Sequence, residues 1–139
     1  MAMSAAAMDK LVNDHFMYEA TADLEGVMGT YTDDPRHHVV GGPDGPLRGK
    51  PAIRGFYQRL FPALKGERAE NLMRVYGDDL IVDETILIGE VVDGRPFGLA
   101  GMRGKDVRVR LLHIFKLKDG RIADEKVWFD ADEMKRQLK

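Results

Sequence analysis

A change of hydrophobic period partway along the chain predicts an α+β fold. Apolar residues recur at helical spacing up to about residue 64, and at a period of about two beyond residue 68. The pair Asp119-Gly120 between two alternating stretches is a strong hairpin signal. A Gly- and Pro-dense stretch, GGPDGPLRGKP (residues 41–51), interrupts the helical part. Together these predict about three N-terminal helices and a curved antiparallel sheet wrapped around them, a cone with a pocket at its open end.

The elements follow in order. Met8, Leu11, Val12, His15, Phe16, Glu19 and Ala22 lie near helical spacing, so a first amphipathic helix is expected over 8–22. Asp23 suits the N-cap of a short second helix, Leu24 to Tyr31, with Glu25 in its first turn. Asp33-Asp34-Pro35 reads as a break, followed by a short strand from Arg36 to Val40. Pro51 fits the start of a third helix, Ala52 to Leu64, with Ile53, Phe56, Tyr57, Leu60 and Phe61 on its apolar face. Strands are predicted at 70–76, 79–92, 106–118 and 121–129, and a final helical turn or two at 131–138. Met1 to Ala7 is expected to be a disordered lead-in, and 8–139 one domain.

Composition narrows the function classes. The chain has 139 residues, 44% hydrophobic and 32% charged, the balance of a globular domain. It has no cysteine, which removes disulfides, thiolate metal sites and cysteine nucleophiles. Twenty-one basic against 23 acidic residues is too neutral a balance for a general nucleic-acid binder. No run approaches the roughly 20 apolar residues of a membrane span, and no signal peptide is evident, so a cytoplasmic protein is expected. Four scattered histidines lack H-x-H or H-E-x-x-H spacing, so no metal and no cofactor are expected.

Strand alternation selects candidate pocket residues. Between 107 and 117 one face reads Val107, Val109, Leu111, His113, Phe115, Leu117, so His113 sits amid an inner apolar face. Arg108, Arg110, Leu112 and Ile114 then face outward. Both faces of the 80–88 strand are apolar, so composition leaves its parity open. If Leu80, Val82, Glu84, Ile86 and Ile88 are inner, Glu84 is a carboxylate in an apolar wall, and Ile81 and Leu87 join the outer face. His37 and His38 point to opposite sides of their strand, and His37 shares parity with Val39. The loop from Gly94 to Lys105 holds four glycines with Phe97, Leu99 and Met102, and is read as a lid over the pocket or an interface segment.

Three segments, DLEGVMGTYTDD (23–34), LRGKPAIRGFY (47–57) and HIFKLKDGRIADEKVWFD (113–130), carry a resemblance to the nuclear transport factor 2-like superfamily. That superfamily, a cystatin-like cone fold, includes SnoaL-like polyketide cyclases and ketosteroid isomerases. The resemblance implies that His15 stands where isomerases carry a first-helix tyrosine. Tyr31 and Tyr57 stand at supporting tyrosines, and His113 at the oxyanion-hole aspartic acid. Glu84 occupies a wall position, and Phe129, with Trp128 beside it, a terminal aromatic. The isomerase base position is Val39, which cannot abstract a proton, so ketosteroid isomerisation by the usual arrangement is not expected. An Asp–Arg–Asp set of the epoxide-hydrolase kind cannot be assembled, since Arg108 and Arg110 face outward.

The expectation is a cofactor-independent acid–base enzyme of SnoaL-like type, of cyclase, isomerase or hydratase chemistry. Glu84 would be the base, His15 or His113 the acid or hydrogen-bond donor. Tyr31, Tyr57, His37, Val39, Phe61, Trp128 and Phe129 would bind a small apolar or aromatic ligand. Two other readings are a non-catalytic ligand-binding protein and a dimeric interaction module of the same fold. A homodimer through the outer sheet face is expected from the resemblance, with Leu112, Ile114, Ile81 and Leu87 available there.

Overall fold

A computed structural model describes residues 2–139. Its elements run α1 (Ala5–Ala20), α2 (Leu24–Gly29), β1 (Tyr31–Val40), β2 (Leu47–Arg48), α3 (Lys50–Ala63), β3 (Leu64–Gly77), β4 (Leu80–Val91), β5 (Gly104–Lys118), β6 (Arg121–Phe129) and α4 (Ala131–Gln137). The six strands form one curved sheet in the order β2-β1-β6-β5-β4-β3. The long β3 to β6 meander is antiparallel, as expected, whereas β1 joins β6 in parallel, so the sheet is mixed. The β5–β6 turn uses Asp119 and Gly120, both at positive φ, as a two-residue hairpin of the primed type requires.

Helix α1 begins at Ala5 because the Ser4 hydroxyl accepts a hydrogen bond from the Ala7 amide and caps the first turn. Residues 4–7 therefore belong to the cap and first turn, not to a disordered lead-in; Met1 lies outside the described residues. Asp23 caps α2 through the Gly26 amide, as predicted. Strand β1 starts at Tyr31, through the expected break. Pro35 is accommodated because the β1–β6 register shifts between Tyr31 and Arg36, freeing the chain from the ladder there.

The helices cover the concave face of the sheet, and Met8, Val12, Tyr31, Ile53, Tyr57, Ile81, Phe115 and Ile122 form the centre of the core. A polar clasp fixes α1 against the sheet. Asp83, fully buried on β4, accepts from Arg74 Nε at 2.7 Å, Asn71 Nδ2 at 2.7 Å and Thr85 Oγ1 at 2.7 Å. Arg74 reaches on to Asp9 of α1 at 2.7 Å and lies over the Phe16 ring. Both oxygens of the buried carboxylate are thus hydrogen-bonded, and the helix carrying His15 and Glu19 is held in one position.

The segment after β4 folds tightly. A 3-10 turn, Arg95–Phe97, places Phe97 edge-on to Phe129 with centroids 6.2 Å apart. Leu99 and Met102 pack on the core behind it. No described helix is long and apolar enough to cross a membrane.

Candidate functional site

Apart from the Asp83 clasp, the concave face carries a cluster of ionisable groups around His15. On α1, Met8, Val12 and His15 form the buried stripe, and Glu19 follows one turn later, so helix periodicity alone brings His15 and Glu19 together. From β6, Glu125 reaches the same point. His15 Nε2 lies 2.7 Å from Glu19 Oε1 and 3.1 Å from Glu125 Oε1, shared between two carboxylates and aimed squarely at neither. Tyr31 donates to Glu125 Oε1 at 2.6 Å, and Tyr57 lies 2.8 Å from the Tyr31 hydroxyl and 3.2 Å from Glu19 Oε1. The Tyr31 proton is committed to Glu125, so Tyr57 is the donor between the two phenols.

Hydrogen-bond logic determines the protonation of His15. Thr30 Oγ1 donates to the Val27 carbonyl, so in its 2.9 Å contact with His15 Nδ1 it accepts, and Nδ1 carries a proton. Nε2 faces two carboxylates and carries one too. His15 is an imidazolium. Burial opposes that charge, but Glu125 and Glu19 outweigh burial and raise its pKa to about 10. Glu125 shows the mirror effect: burial pushes its carboxyl up, while His15 more than reverses this and holds it well below the carboxylate range. Both phenols are raised well above their ordinary range, chiefly by burial, and stay neutral. His37 and His113 are lowered, again chiefly by burial, and are neutral.

Beside the cluster opens a cavity walled mostly by Phe16, Val39, Phe56, Leu87, Leu111 and Phe129. A water-sized sphere can place its centre in about 100 Å³ of it, room for a compact ligand only. Glu19, His37, Tyr57, Thr85, His113, Glu125, Glu67 and Arg68 supply the polar part of the wall. The Nδ1 atoms of His37 and His113 are buried and have no partner among the described residues. Unpaired buried nitrogens on a cavity wall are groups that a ligand can satisfy.

Of the predicted residues, His37, Val39, Tyr57, His113 and Phe129 line this cavity. His15 and Tyr31 are fully buried behind the wall, holding the residues that form it. Phe61 packs behind Tyr57, ring centroids 5.4 Å apart, and does not reach the cavity. Three other expectations are corrected. Glu84 points to the convex face, where it meets Arg110 at 3.5 Å, so it cannot be the pocket base. The cause is register: Asp83 is opposite His113 and Glu84 opposite Leu112, and residues directly opposite share a face. Ile81 and Leu87 consequently turn inward with Asp83, and Ile81 is fully buried in the core. Trp128 is opposite Leu112 on the other side and lines the same outer groove as Glu84.

Sequence reasoning missed Glu125, Glu19 and Glu67. Glu125 was hidden by a bulge: Ile122 pairs with Leu117 and Asp124 with Lys116, leaving Ala123 unpaired and inverting parity midway through β6. Counting back from Phe129 through Val127 would have found it. His15, Glu19 and Glu125 have donor atoms within 4.8 Å of one another, the one such set among the described residues.

The fold recurs in solved structures. A candidate SnoaL-like polyketide cyclase from Shewanella denitrificans OS-217 superposes with a TM-score of 0.80 at 16% identity, over 96% of this chain and 97% of that one. An LEH-like epoxide hydrolase from M. tuberculosis gives 0.70 at 18% identity, over 93% and 86%. A candidate polyketide cyclase from Sinorhizobium meliloti gives 0.65 at 23% identity, over 87% and 97%. No curated protein matches the sequence. The sequence profile of the SnoaL-like domain matches residues 10–125, and the chain belongs to that family, within the nuclear transport factor 2-like superfamily.

Proposed function

We propose that this protein is a cofactor-independent acid–base enzyme acting on a small, mostly apolar molecule that bears one oxygen function. The observation that carries the reading is Glu19: its Oε1 is held from behind by His15 Nε2 at 2.7 Å, while the residue forms part of an apolar cavity wall. A carboxylate held in this way beside an apolar site is placed to take a proton from a carbon acid. The base then stands on α1, not on β1, where Val39 occupies the usual place. Neutral His113 and His37 serve as hydrogen-bond donors to the oxygen on which negative charge develops. His15 is a positioning residue: fully buried, it orients Glu19 and neutralises Glu125. Cyclisation, isomerisation and dehydration all begin with such a proton abstraction. The structural relatives named for polyketide cyclases and an epoxide hydrolase support small-molecule chemistry on this fold.

The test is deuterium exchange into the α-positions of a panel of small cyclic and aryl ketones, followed by NMR in D₂O. Wild type should exchange at least one of them, and Glu19→Gln should slow that exchange about 10²-fold or more. Glu19→Gln should still bind hydroxynaphthalenes. A second reading is a passive ligand-binding protein, favoured by the internal pairing of Glu125 with His15 and Tyr31, which leaves that carboxylate no free role. Saturable hydroxynaphthalene binding unchanged from about pH 5 to 9, with no exchange on any ketone, would establish that reading instead. The proposal includes a homodimer through the outer sheet face, where Leu112 is exposed. Light scattering at the expected dimer mass checks it, and a monomer refutes it.

A further inference from the structure

The cavity wall contains a second carboxyl group, on a strand irregularity of its own. On β3, Lys65 pairs with Glu90 and Arg68 with Ile88, three steps along one strand against two along the other. Gly66, at φ +62°, and Glu67 together oppose Gly89, a β-bulge. The bulge nests on Gly89, where a Cβ would lie 3.1 Å from the Lys65 carbonyl oxygen and 3.2 Å from Leu64. Regular alternation from the inward Leu64 would send Glu67 out; with the extra residue it joins Leu64, Arg68 and Ala69 on the cavity wall. Its carboxyl makes no hydrogen bond or ion pair with another described residue. A half-buried carboxyl aimed into a cavity by a bulge, with nothing to pair with, is placed for a ligand.

Resting on the acid–base reading above, we infer that Glu67 is the proton donor of the site, protonating the substrate oxygen as Glu19 takes a proton from carbon. In the forward half-reaction the substrate C–H bond breaks and its electron pair becomes the enol double bond. The carbonyl π pair takes the Glu67 proton, leaving Glu19 protonated and Glu67 ionised. Where the ketone carries a β,γ double bond the enol is a dienol, and return of the Glu19 proton to its γ-carbon, with the enol proton going back to Glu67, restores both groups and completes an isomerisation to the α,β-unsaturated ketone. The pair does not need external acid or base. The arrangement favours small ketones with an acidic α-hydrogen.

Electrostatics agree with the geometry. Burial, then the charge of Glu19, raise Glu67 to about 8, with His15 pulling the other way. Lys65 and Arg68 flank it on β3, Glu90 lies on β4 opposite Lys65, and His37, Tyr57, His113 and Glu125 complete the charged and titratable groups around the cavity. One carboxyl kept neutral beside another that is ionised is the division of labour that proton transfer at both ends of an enolisation needs.

Two measurements test the assignment on the full chain. Carboxyl-¹³C glutamate NMR, with the Glu67 signal identified by its loss in Glu67→Gln, should show a midpoint near pH 8. A midpoint in the ordinary carboxylate range overturns the proposal, whatever the activity. In the exchange assay, wild type should lose rate as pH rises through 8, and Glu67→Gln should be about 10²-fold slower with that alkaline limb gone. Exchange that persists with unchanged rate and limb in Glu67→Gln removes Glu67 from the reaction and leaves Glu19 as base. Absence of exchange from wild type itself refutes the enzymatic reading, and the proton-donor role falls with it.

Discussion

Glu84 and Glu125 are both glutamates in mid-strand, on β4 and β6 either side of β5 in the same sheet, and they have opposite fates. Glu84 lies on the convex face with Arg110 at 3.5 Å, both partly in water, where solvent screens the pair. Glu125 lies on the concave face, 2% exposed, in contact with His15, Tyr31 and His37. The chemistry of a carboxylate here is decided by which side of one sheet it occupies, and that side by a single step of register.

The largest effect separating the two faces is expected from Glu125→Gln, which leaves the His15 imidazolium buried with only Glu19 as counter-charge. It should cost about 3–5 kcal/mol in urea denaturation; a loss under 1 kcal/mol would mean that the buried pair is no more important than the surface one. Next is pH. His15 gains its proton affinity on folding, so the stability it contributes is complete below about pH 6.5 and is lost as pH rises toward about 10. Glu125 is depressed, so its contribution is present above about pH 4.5 and is lost as pH falls below that. Melting temperature should therefore be highest between those values. In His15→Gln the decline on the alkaline side should disappear; a wild-type curve flat to pH 10 contradicts an imidazolium.

A smaller contrast concerns two adjacent aromatics. Phe129→Ala removes a cavity wall and should weaken hydroxynaphthalene binding about tenfold, roughly 1.4 kcal/mol. Trp128→Ala, on the outer groove, should leave it unchanged, and equal effects would place both rings at one site. The smallest effect is expected at Glu84→Gln, within about 0.5 kcal/mol of wild type and without change in exchange rate.

The architecture was legible because its signals are long. Five periods of alternation in β5 placed His113 inside, and its apolar neighbours left no choice of face. His15 was legible from helical spacing and His37 from the parity of a short strand. Glu84 was misplaced because Val82, Ile86 and Ile88 make the outer face of β4 as apolar as the inner one. Its side is determined by pairing with β5, information that no single strand contains. Glu125 and Glu67 share a different reason: Glu125 follows a bulge and Glu67 lies in one, and alternation counted across an extra residue gives the wrong face. Strand β3 hides its own start as well, since it is an edge strand exposed along most of its length and shows no clean period.

The unpaired Ala123 has a consequence for how such a pocket changes over generations. Removing that one residue would leave Ile122 opposite Leu117 and Asp124 opposite Lys116, now as consecutive pairs of a regular ladder. Glu125 would stay opposite Phe115, on the inner face beside His15. A lineage carrying this fold can therefore lose a codon at this hairpin without moving any residue of the buried cluster, because the spare residue absorbs the change.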